Sequence, residues 1–351
     1  MDEGFKKIIE EYSKPLQHSD SISSIEMARK AIEFETPTRI PYSFINPFQS
    51  DFFECAIIRE LLSTNDKKKL KNLGDVYYDE WGVGQKFTGR GWDHAFDYPL
   101  KDLRKLDSYK FPNIAAPQIY SKQKPYILKA KEAGKYIIGY DPVMIFERAR
   151  SLMGFEELMI AHYSQPEGLK ELLERLSDLT IAVVEQWAAI GNVNGFMTWD
   201  DWGLQTGLQM KVETFREYYK PFYSRIIDSA HKHGMHYIWH NCGQIIDMIP
   251  DMVEIEVDVI QLDQPRLMGH EKLSRDFGGK ICFWNTVDIQ WSTQENVTEE
   301  ELKREVIEMI KHYNRIEGGF MARQYPQPKD INLSSDRCKM IAEAFFEFGC
   351  G

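Results

Sequence analysis

The stretch MHYIWHNCG, residues 235–243, is a short apolar run that ends in a polar motif. Its composition and its flanking glycines predict a buried strand. On an extended backbone, side chains two residues apart point the same way, so His240 and Cys242 share a face. An imidazole and a thiolate on one face are half of a tetrahedral zinc site. The alternative is a buried thiol beside a hydrogen-bonded histidine at a strand end.

Six further short apolar runs have the same character and are bounded by Gly, Asp or Asn, and amphipathic helical stretches lie between most of them. The predicted strands cover residues 39–45, 136–140, 195–199, 235–240, 257–262, 280–284 and 318–321. Such alternation is typical of an α/β fold, either a (β/α)₈ TIM barrel or a doubly wound parallel sheet. No Gly-x-Gly-x-x-Gly turn follows the first predicted strand, and no phosphate-binding Gly-x-x-x-x-Gly-Lys loop occurs, so the nucleotide-binding doubly wound fold lacks its usual signature. We therefore predict a barrel.

Composition narrows the classes of function. The chain has 351 residues, is 43% hydrophobic and carries a formal net charge of −11. This charge argues against binding to the phosphate backbone of nucleic acid, and no apolar run is long enough for a membrane span. Five scattered cysteines and a start without a signal peptide indicate a reducing, cytoplasmic location. We expect one domain over residues 1–351, with an N-terminal helical or hairpin extension within residues 1–35.

In a barrel, the chemistry lies where strands end and the following loops begin. The predicted strand ends are rich in acidic, amide, imidazole and indole groups, although such residues also cap helices. The candidate side chains at these ends are Tyr140, Trp199, Asp200, Asp201, Trp202, Trp239, His240, Cys242, Gln261, Trp284, Asn285 and Arg323.

An ordered set of phrases resembles the uroporphyrinogen decarboxylase superfamily, and within it the cobalamin-dependent methyltransferase branch. The resemblance runs from about Tyr136 to Phe346. It rests on the segments 146–149 (FERA), 200–207 (DDWGLQTG), 215–221 (FREYYKP), 240–243 (HNCG), 249–251 (IPD), 257–259 (VDV), 283–288 (FWNTVD) and 318–320 (GGF). The resemblance implies a (β/α)₈ barrel with its pocket at the carboxyl ends of the strands.

Two departures indicate the branch and leave a question about the metal. The decarboxylases carry an N-terminal Arg-x-x-x-Gly-Arg-Tyr segment, whereas this chain reads PYSFIN over residues 41–46, which argues against a polyanionic tetrapyrrole substrate. The methyltransferase branch implies zinc bound by His240, Cys242 and a further cysteine after the last strand. Residues 321–326 read MARQYP and contain no cysteine.

Two replacements for the missing ligand remain open. Cys282, on a neighbouring strand, could share an interior layer with Cys242, or could be a small buried apolar residue. A carboxylate oxygen from Glu147, Asp200 or Asp201 is the other route. Loss of the metal is a third alternative.

The resemblance implies a corrinoid-dependent methyltransferase with Zn²⁺ as cofactor. It would move a methyl group from a small methylated substrate, an aryl methyl ether by preference, to cobalamin carried by a partner corrinoid protein. Asp200, Asp201 and Glu147 would position or protonate the leaving heteroatom, with helix capping as the competing role. We expect the substrate to contact Tyr140, Trp199, Trp202, Gln261, Trp284, Asn285 and Arg323.

Residues 81–92 are a candidate mobile cover for the barrel mouth. The sequence is compatible with a homodimer. Two other functions stay open: a metal-free decarboxylase or other lyase acting on a small carboxylate through Asp200 and Arg323, and a sensor that binds a small molecule without turnover.

Overall fold

Eight parallel strands form the central sheet of the protein. The computed structural model describes residues 22–45, 48, 50–55, 72–89, 93–315 and 317–349. The strands of this part of the chain are β1 Tyr42–Ser43, β2 Phe52–Cys55, β3 Val76–Tyr78, β4 Gly84–Lys86, β5 His94–Asp97, β6 Tyr136–Tyr140, β7 Gly195–Trp199, β8 His236–Asn241, β9 Val259–Leu262, β10 Cys282–Thr286 and β11 Phe320–Arg323. The parallel sheet has the order β1-β11-β10-β9-β8-β7-β6-β2, and β3, β4 and β5 form a separate antiparallel sheet.

Helices follow the strands and surround the sheet. They are α1 Ser24–Ile32, α2 Pro117–Ser121, α3 Lys124–Glu132, α4 Ile145–Met153, α5 Phe155–Ser164, α6 Pro166–Ile190, α7 Val212–Tyr218, α8 Lys220–Lys232, α9 Ile249–Glu254, α10 His270–Phe277, α11 Glu299–Tyr313 and α12 Ser335–Phe348. None of these described helices combines the length and apolarity needed to cross a bilayer.

Asp51 brings the two edge strands of the sheet together. Its backbone N–H donates to the carbonyl of Tyr42 over 2.9 Å, and its carboxylate accepts from the N–H of Tyr42 over the same distance. Arg39 holds that carboxylate with two hydrogen bonds of 2.8 Å. Because β1 and β2 are joined through this buried residue, the sheet is a nearly closed barrel, and the predicted TIM-barrel fold is confirmed.

Helix α1 covers the amino-terminal end of the barrel. The N–H of Ile25 donates to the carbonyl of Gly134, just before β6, and the N–H of Gly319, just before β11, donates to the carbonyl of Ala31. This helix lies within the predicted N-terminal extension, and residues 1–21 of that extension lie outside the described residues. With one end of the barrel covered, the carboxyl ends of the strands form the accessible mouth.

Each of the seven predicted strands has a counterpart in the barrel, but β2 and the small antiparallel sheet were not predicted. The β2 sequence FFEC has a carboxylate, Glu54, on the inward face, so it does not read as a buried strand. The proposed mobile cover, residues 81–92, includes β4, and Arg90, Gly91 and Trp92 lie outside the described residues.

Candidate metal centre at the barrel mouth

Register places one row of side chains across the inside of the barrel. Trp199 on β7 pairs with His240 on β8, His240 with Gln261 on β9, Gln261 with Trp284 on β10, and Trp284 with Met321 on β11. Paired residues of parallel strands face the same side of the sheet, and successive residues alternate between the two sides. On each strand, the residues immediately before and after the member of this row therefore face the helices. The residue two positions after it again faces the barrel interior, near the mouth.

Asp201, His240 and Cys242 form a compact group at this mouth. One ligand atom from each lies within 4.8 Å of the others. The Nε2 atom of His240 is 3.6 Å from the Sγ atom of Cys242 and 3.5 Å from Oδ1 of Asp201. The Asp201 side chain is 40% exposed, so the group is accessible from solvent.

The loop after β7 holds Asp201 against the loop after β8. The N–H of Cys242 donates to Oδ1 of Asp201 over 2.8 Å. The two backbones cross so closely that a Cβ on Gly203 would lie 2.4 Å from the carbonyl oxygen of Cys242. Gly243 has a φ of +77°, and a Cβ there would lie 2.5 Å from the carbonyl carbon of Gly203. Side chains at either position would separate the two candidate ligands.

The separations within the group fit a zinc ion. Zinc–nitrogen and zinc–sulfur bonds of about 2.0 and 2.3 Å in a tetrahedral arrangement place the two ligand atoms about 3.5 Å apart. The distance between Nε2 of His240 and Sγ of Cys242 is within about 0.1 Å of that value. Imidazole, thiolate and carboxylate are all established zinc donors. The residues present can therefore hold zinc, with Asp201 in the place of the missing cysteine.

Three carboxyl groups surround the thiol of Cys242. Burial raises the pKa of this thiol well above its ordinary value, and the negative charges of Asp201, Asp263 and Glu147 raise it further. A thiol in such surroundings needs a cation nearby to lose its proton, as metal binding provides.

Glu147 lies in the first turn of α4 and is one of these three groups. Burial raises its pKa to about 8, against the opposing effect of Arg150, whose Nη2 atom is 3.0 Å from Oε2 of Glu147. The carboxylates of Asp200 and Asp201 raise the pKa as well. Glu147 therefore holds a proton at neutral pH while remaining 22% exposed in its side chain.

Asp200 faces the helices, whereas the next residue, Asp201, faces the barrel interior. Its carboxylate accepts from the backbone N–H groups of Phe146 and Glu147, over 3.2 and 2.8 Å, at the start of α4. The hydroxyl of Tyr223 donates to the same carboxylate over 2.6 Å. Burial raises the pKa of Asp200 to about 7, although these hydrogen bonds oppose the rise. The geometry gives Asp200 the capping role that the sequence left as the alternative.

Three further aromatic or amide candidates are also on the helix-facing side. Trp202 is buried against Phe146, with ring centroids 4.2 Å apart. Trp239, beside His240 on β8, donates from Nε1 to the carbonyl of Asp200 over 3.3 Å. Asn285 follows the inward Trp284 and is fully buried. The structure therefore places these three side chains outside the barrel interior.

Tyr140 and Trp199 do line the interior beside the metal group. Their ring centroids are 4.9 Å apart in an edge-to-face arrangement, and the Trp199 ring lies 5.9 Å from that of His240. Trp284, in contrast, is fully buried between Phe52 and the guanidinium of Arg323. Trp199 is partly exposed, whereas Tyr140 is only 9% exposed.

Arg323 is committed to an ion pair that the sequence did not predict. Its two terminal nitrogens each lie 2.8 Å from an oxygen of Glu54 on β2. Tyr140 and Ser43 also donate to Glu54. Burial alone would raise the pKa of Glu54, but the charge of Arg323 and these hydrogen bonds hold it below its ordinary value.

Cys282 lies apart from the metal group. It is in register with Val259, two positions before the row that contains His240, and it is fully buried. Burial raises the pKa of its thiol, with a further contribution from Asp258, which precedes β9. The structure thus brings Asp201, and not Cys282, to His240 and Cys242.

Two residues of the site were missed by the sequence reasoning. Glu54 sits on the strand that the apolar pattern did not reveal. Asp263 lies two residues after Gln261, just beyond the end of β9, and its carboxylate accepts from Nε2 of Gln261 over 2.9 Å. His240 pairs with Gln261 on the neighbouring strand, and Asp263 is two residues after Gln261. The alternation of side chains along a strand was therefore the signal that could have identified Asp263.

Comparisons with known proteins agree with this architecture. The sequence model of the family "Uroporphyrinogen decarboxylase (URO-D)" matches residues 127–321, more than half of the chain. A solved methyltransferase from Methanosarcina mazei superposes with a TM-score of 0.64 at 14% identity, over 93% of this chain and 99% of that one. This likeness shows a shared fold.

A D-psicose 3-epimerase structure gives a TM-score of 0.38 at 10% identity, over 70% of this chain and 87% of that one. Comparison with curated protein sequences finds no match. The family match covers the barrel from α3 to β11 and includes all three residues of the metal group. On this match the chain belongs to the uroporphyrinogen decarboxylase family.

Proposed function

We propose that this protein is a zinc-dependent methyltransferase that moves a methyl group from a small methylated substrate, an aryl methyl ether by preference, to a corrinoid carried by a partner protein. The observation that carries the proposal is the grouping of Asp201, His240 and Cys242 at the open end of the barrel. A likeness in fold to a methyltransferase supports it.

Three protein ligands suit a catalytic zinc site, because such sites leave the fourth position for water or substrate. His240 Nε2, Cys242 Sγ and a carboxylate oxygen of Asp201 would hold the ion. When bound, zinc supplies a Lewis acid for the heteroatom of the substrate.

Glu147 is the proposed proton donor. A methyl ether reacts poorly because an alkoxide or phenoxide is a poor leaving group. A reduced corrinoid, supplied by the partner protein, would provide the electron pair for the new bond to the methyl group, and the oxygen would keep the electron pair of the methyl–oxygen bond that breaks. The carboxyl of Glu147 would give its proton to that oxygen, because burial raises its pKa, to about 8 without a metal, and so favours the protonated form.

Tyr140 and Trp199 supply the proposed binding surface. Their rings, inclined at 74° to each other, would provide a face and an edge for a flat substrate between the metal group and the Glu54–Arg323 pair. This arrangement suits an aromatic methyl donor.

The geometry gives no comparable support to a metal-free lyase. That function would use Asp200 and Arg323, yet Asp200 caps α4 and Arg323 is paired on both terminal nitrogens with Glu54. Neither group is free to act on a carboxylate substrate at the mouth.

Zinc content and methyl transfer test the proposal together. Protein purified without chelator is expected to contain about one zinc per chain and, given methoxylated aromatics, to consume cob(I)alamin. Cys242→Ala should lose both properties, whereas Cys338→Ala, in the core of α12, should keep both. A zinc content below a tenth of an equivalent per chain after zinc supplementation would overturn the proposal that the protein binds zinc. Tight binding of a methoxylated aromatic without turnover, with a corrinoid protein supplied, would favour the sensor function.

A further inference from the structure

A chain of hydrogen bonds leads from His240 away from the metal group. The Nδ1 atom of His240 contacts Oε1 of Gln261, and Nε2 of Gln261 donates to Oδ1 of Asp263 over 2.9 Å. Gln261 is 2% exposed and Asp263 is 3% exposed, so water does not compete with these contacts. The backbone carbonyl of Asp263 is itself held by the N–H of Ile289 over 3.0 Å.

The donor and acceptor of each hydrogen bond from His240 to Asp263 follow from the groups involved. A carboxylate accepts and does not donate, so Asp263 requires the NH₂ group of Gln261 on its side. The carbonyl oxygen of that amide then faces His240, and it can only accept. Nδ1 of His240 must therefore carry a proton, so the neutral imidazole has its lone pair on Nε2. Nε2 is the atom that faces Cys242 and Asp201.

We propose that Gln261 and Asp263 are positioning residues that hold His240 in the tautomer and orientation of a metal ligand before any metal arrives. The inference rests on the metal-binding role of His240 under the proposed function. Under this inference Gln261 holds His240 and does not contact the substrate, whereas its place at a strand end predicted a substrate contact. Partners of this kind typically change metal affinity by about 10- to 100-fold when they are removed.

Exchange of the two polar groups separates positioning from packing. Gln261→Met keeps the volume but removes the acceptor, so neutral His240 should revert to the proton on Nε2 that histidine favours in water. Asp263→Asn replaces an obligate acceptor by an amide, so the Gln261 amide can turn and both tautomers should be populated.

The double variant Gln261→Glu/Asp263→Asn provides the rescue. The carboxylate introduced at position 261 again can only accept, from Nδ1–H of His240 on one side and from the new amide at position 263 on the other. The pair keeps the formal charge of the original, and the order of donors again requires a proton on Nδ1. A residue that merely fills space would not be restored by this exchange.

The tautomer is read from ¹⁵N chemical shifts of histidine-labelled, metal-free protein, with the His240 signals identified by their loss in His240→Ala. Zinc affinity is measured by competition with a chromophoric chelator. We expect Nδ1–H in the wild type, Nε2–H and a 10- to 100-fold weaker zinc affinity in Gln261→Met, and recovery of both properties in the double variant. Asp288→Asn, a buried acceptor that caps residues 290 and 291, is the matched control and should change neither property.

Gln261→Met with Nδ1–H and zinc affinity within twofold of the wild type would overturn the inference, as would a double variant no better than Asp263→Asn alone. Should the wild type bind no zinc at all, the proposed function fails, while the tautomer of the metal-free protein still decides whether Gln261 and Asp263 position His240.

Discussion

The carboxylates of Asp200 and Asp201, adjacent in the chain, lie on opposite sides of the barrel wall. Asp200 accepts two backbone N–H groups at the start of α4, and Asp201 accepts the N–H of Cys242 beside His240. Strand alternation continues for two residues past the end of β7 and separates the two groups. A structural cap and a candidate metal ligand therefore stand side by side in the sequence.

An Asp→Asn substitution should weaken zinc binding at position 201 and protein stability at position 200. Asp201→Asn removes a negative ligand oxygen, so zinc affinity should fall at least tenfold with little change in melting temperature. Asp200→Asn loses one acceptor oxygen among its three hydrogen bonds and should lower the free energy of unfolding by about 1 kcal/mol while zinc stays bound. Elemental analysis and thermal melts of both variants are the measurements. Zinc loss in Asp200→Asn with an unchanged melt would contradict this assignment.

This pair also shows how far the sequence alone could reach. The alternation of apolar runs and helices predicted the barrel, and the spacing of His240 and Cys242 predicted that their side chains share a face. The same alternation, counted from Trp199, places Asp201 and not Asp200 on the face of His240, although the sequence motif offers both carboxylates as candidates. Glu54 could not be predicted, because its partner Arg323 is 269 residues away and a charged residue on a four-residue strand hides the strand's pattern.

The buried pair of Glu54 and Arg323 should be costly to break from one side. Glu54→Leu leaves the buried guanidinium without a counter-charge and should lower the free energy of unfolding by about 3–5 kcal/mol. Glu54→Leu/Arg323→Met removes both charges and should be less destabilised than the single variant. Urea unfolding of the wild type, both single variants and the double variant completes the cycle. If the double variant lost the sum of the two single losses, the pair would not be coupled.

Lys135, at the covered end of the barrel, should make stability depend on alkaline pH. Burial lowers its pKa to about 8, and its ammonium donates to the carbonyl of Ser50. The unfolded side chain keeps its proton up to about pH 10.4. Between these values the unfolded chain binds more protons than the folded one, so this residue's contribution to stability rises with pH.

Lys135→Met removes this contribution. The difference in unfolding free energy between variant and wild type should therefore change between pH 8 and pH 10 and be constant from pH 6 to pH 7. Comparison with Lys131→Met, in the last turn of α3, corrects for general effects of losing a lysine. A difference that does not vary with pH would show that Lys135 titrates normally in the folded protein.

The protonation state of Glu147 should depend on bound zinc and should determine the rate of methyl transfer. In the metal-free protein its pKa is raised to about 8, chiefly by burial, so the carboxyl is neutral at pH 7. Zinc at Asp201, His240 and Cys242 would place positive charge nearby and favour the carboxylate, so its pKa should fall on metal binding. Carboxyl ¹³C shifts of glutamate-labelled protein, titrated with and without zinc, measure both values.

The rate of methyl transfer should follow the protonated fraction of Glu147 and fall as pH rises through the pKa of the zinc-loaded protein. Glu147→Gln cannot give up a proton and should lower the rate by about 10²- to 10⁴-fold, with the alkaline fall abolished and zinc content unchanged. Arg150→Met removes the charge that lowers the pKa of Glu147, so its rate should persist to higher pH than that of the wild type. A profile that keeps its alkaline fall in Glu147→Gln would assign the proton to another group at the mouth.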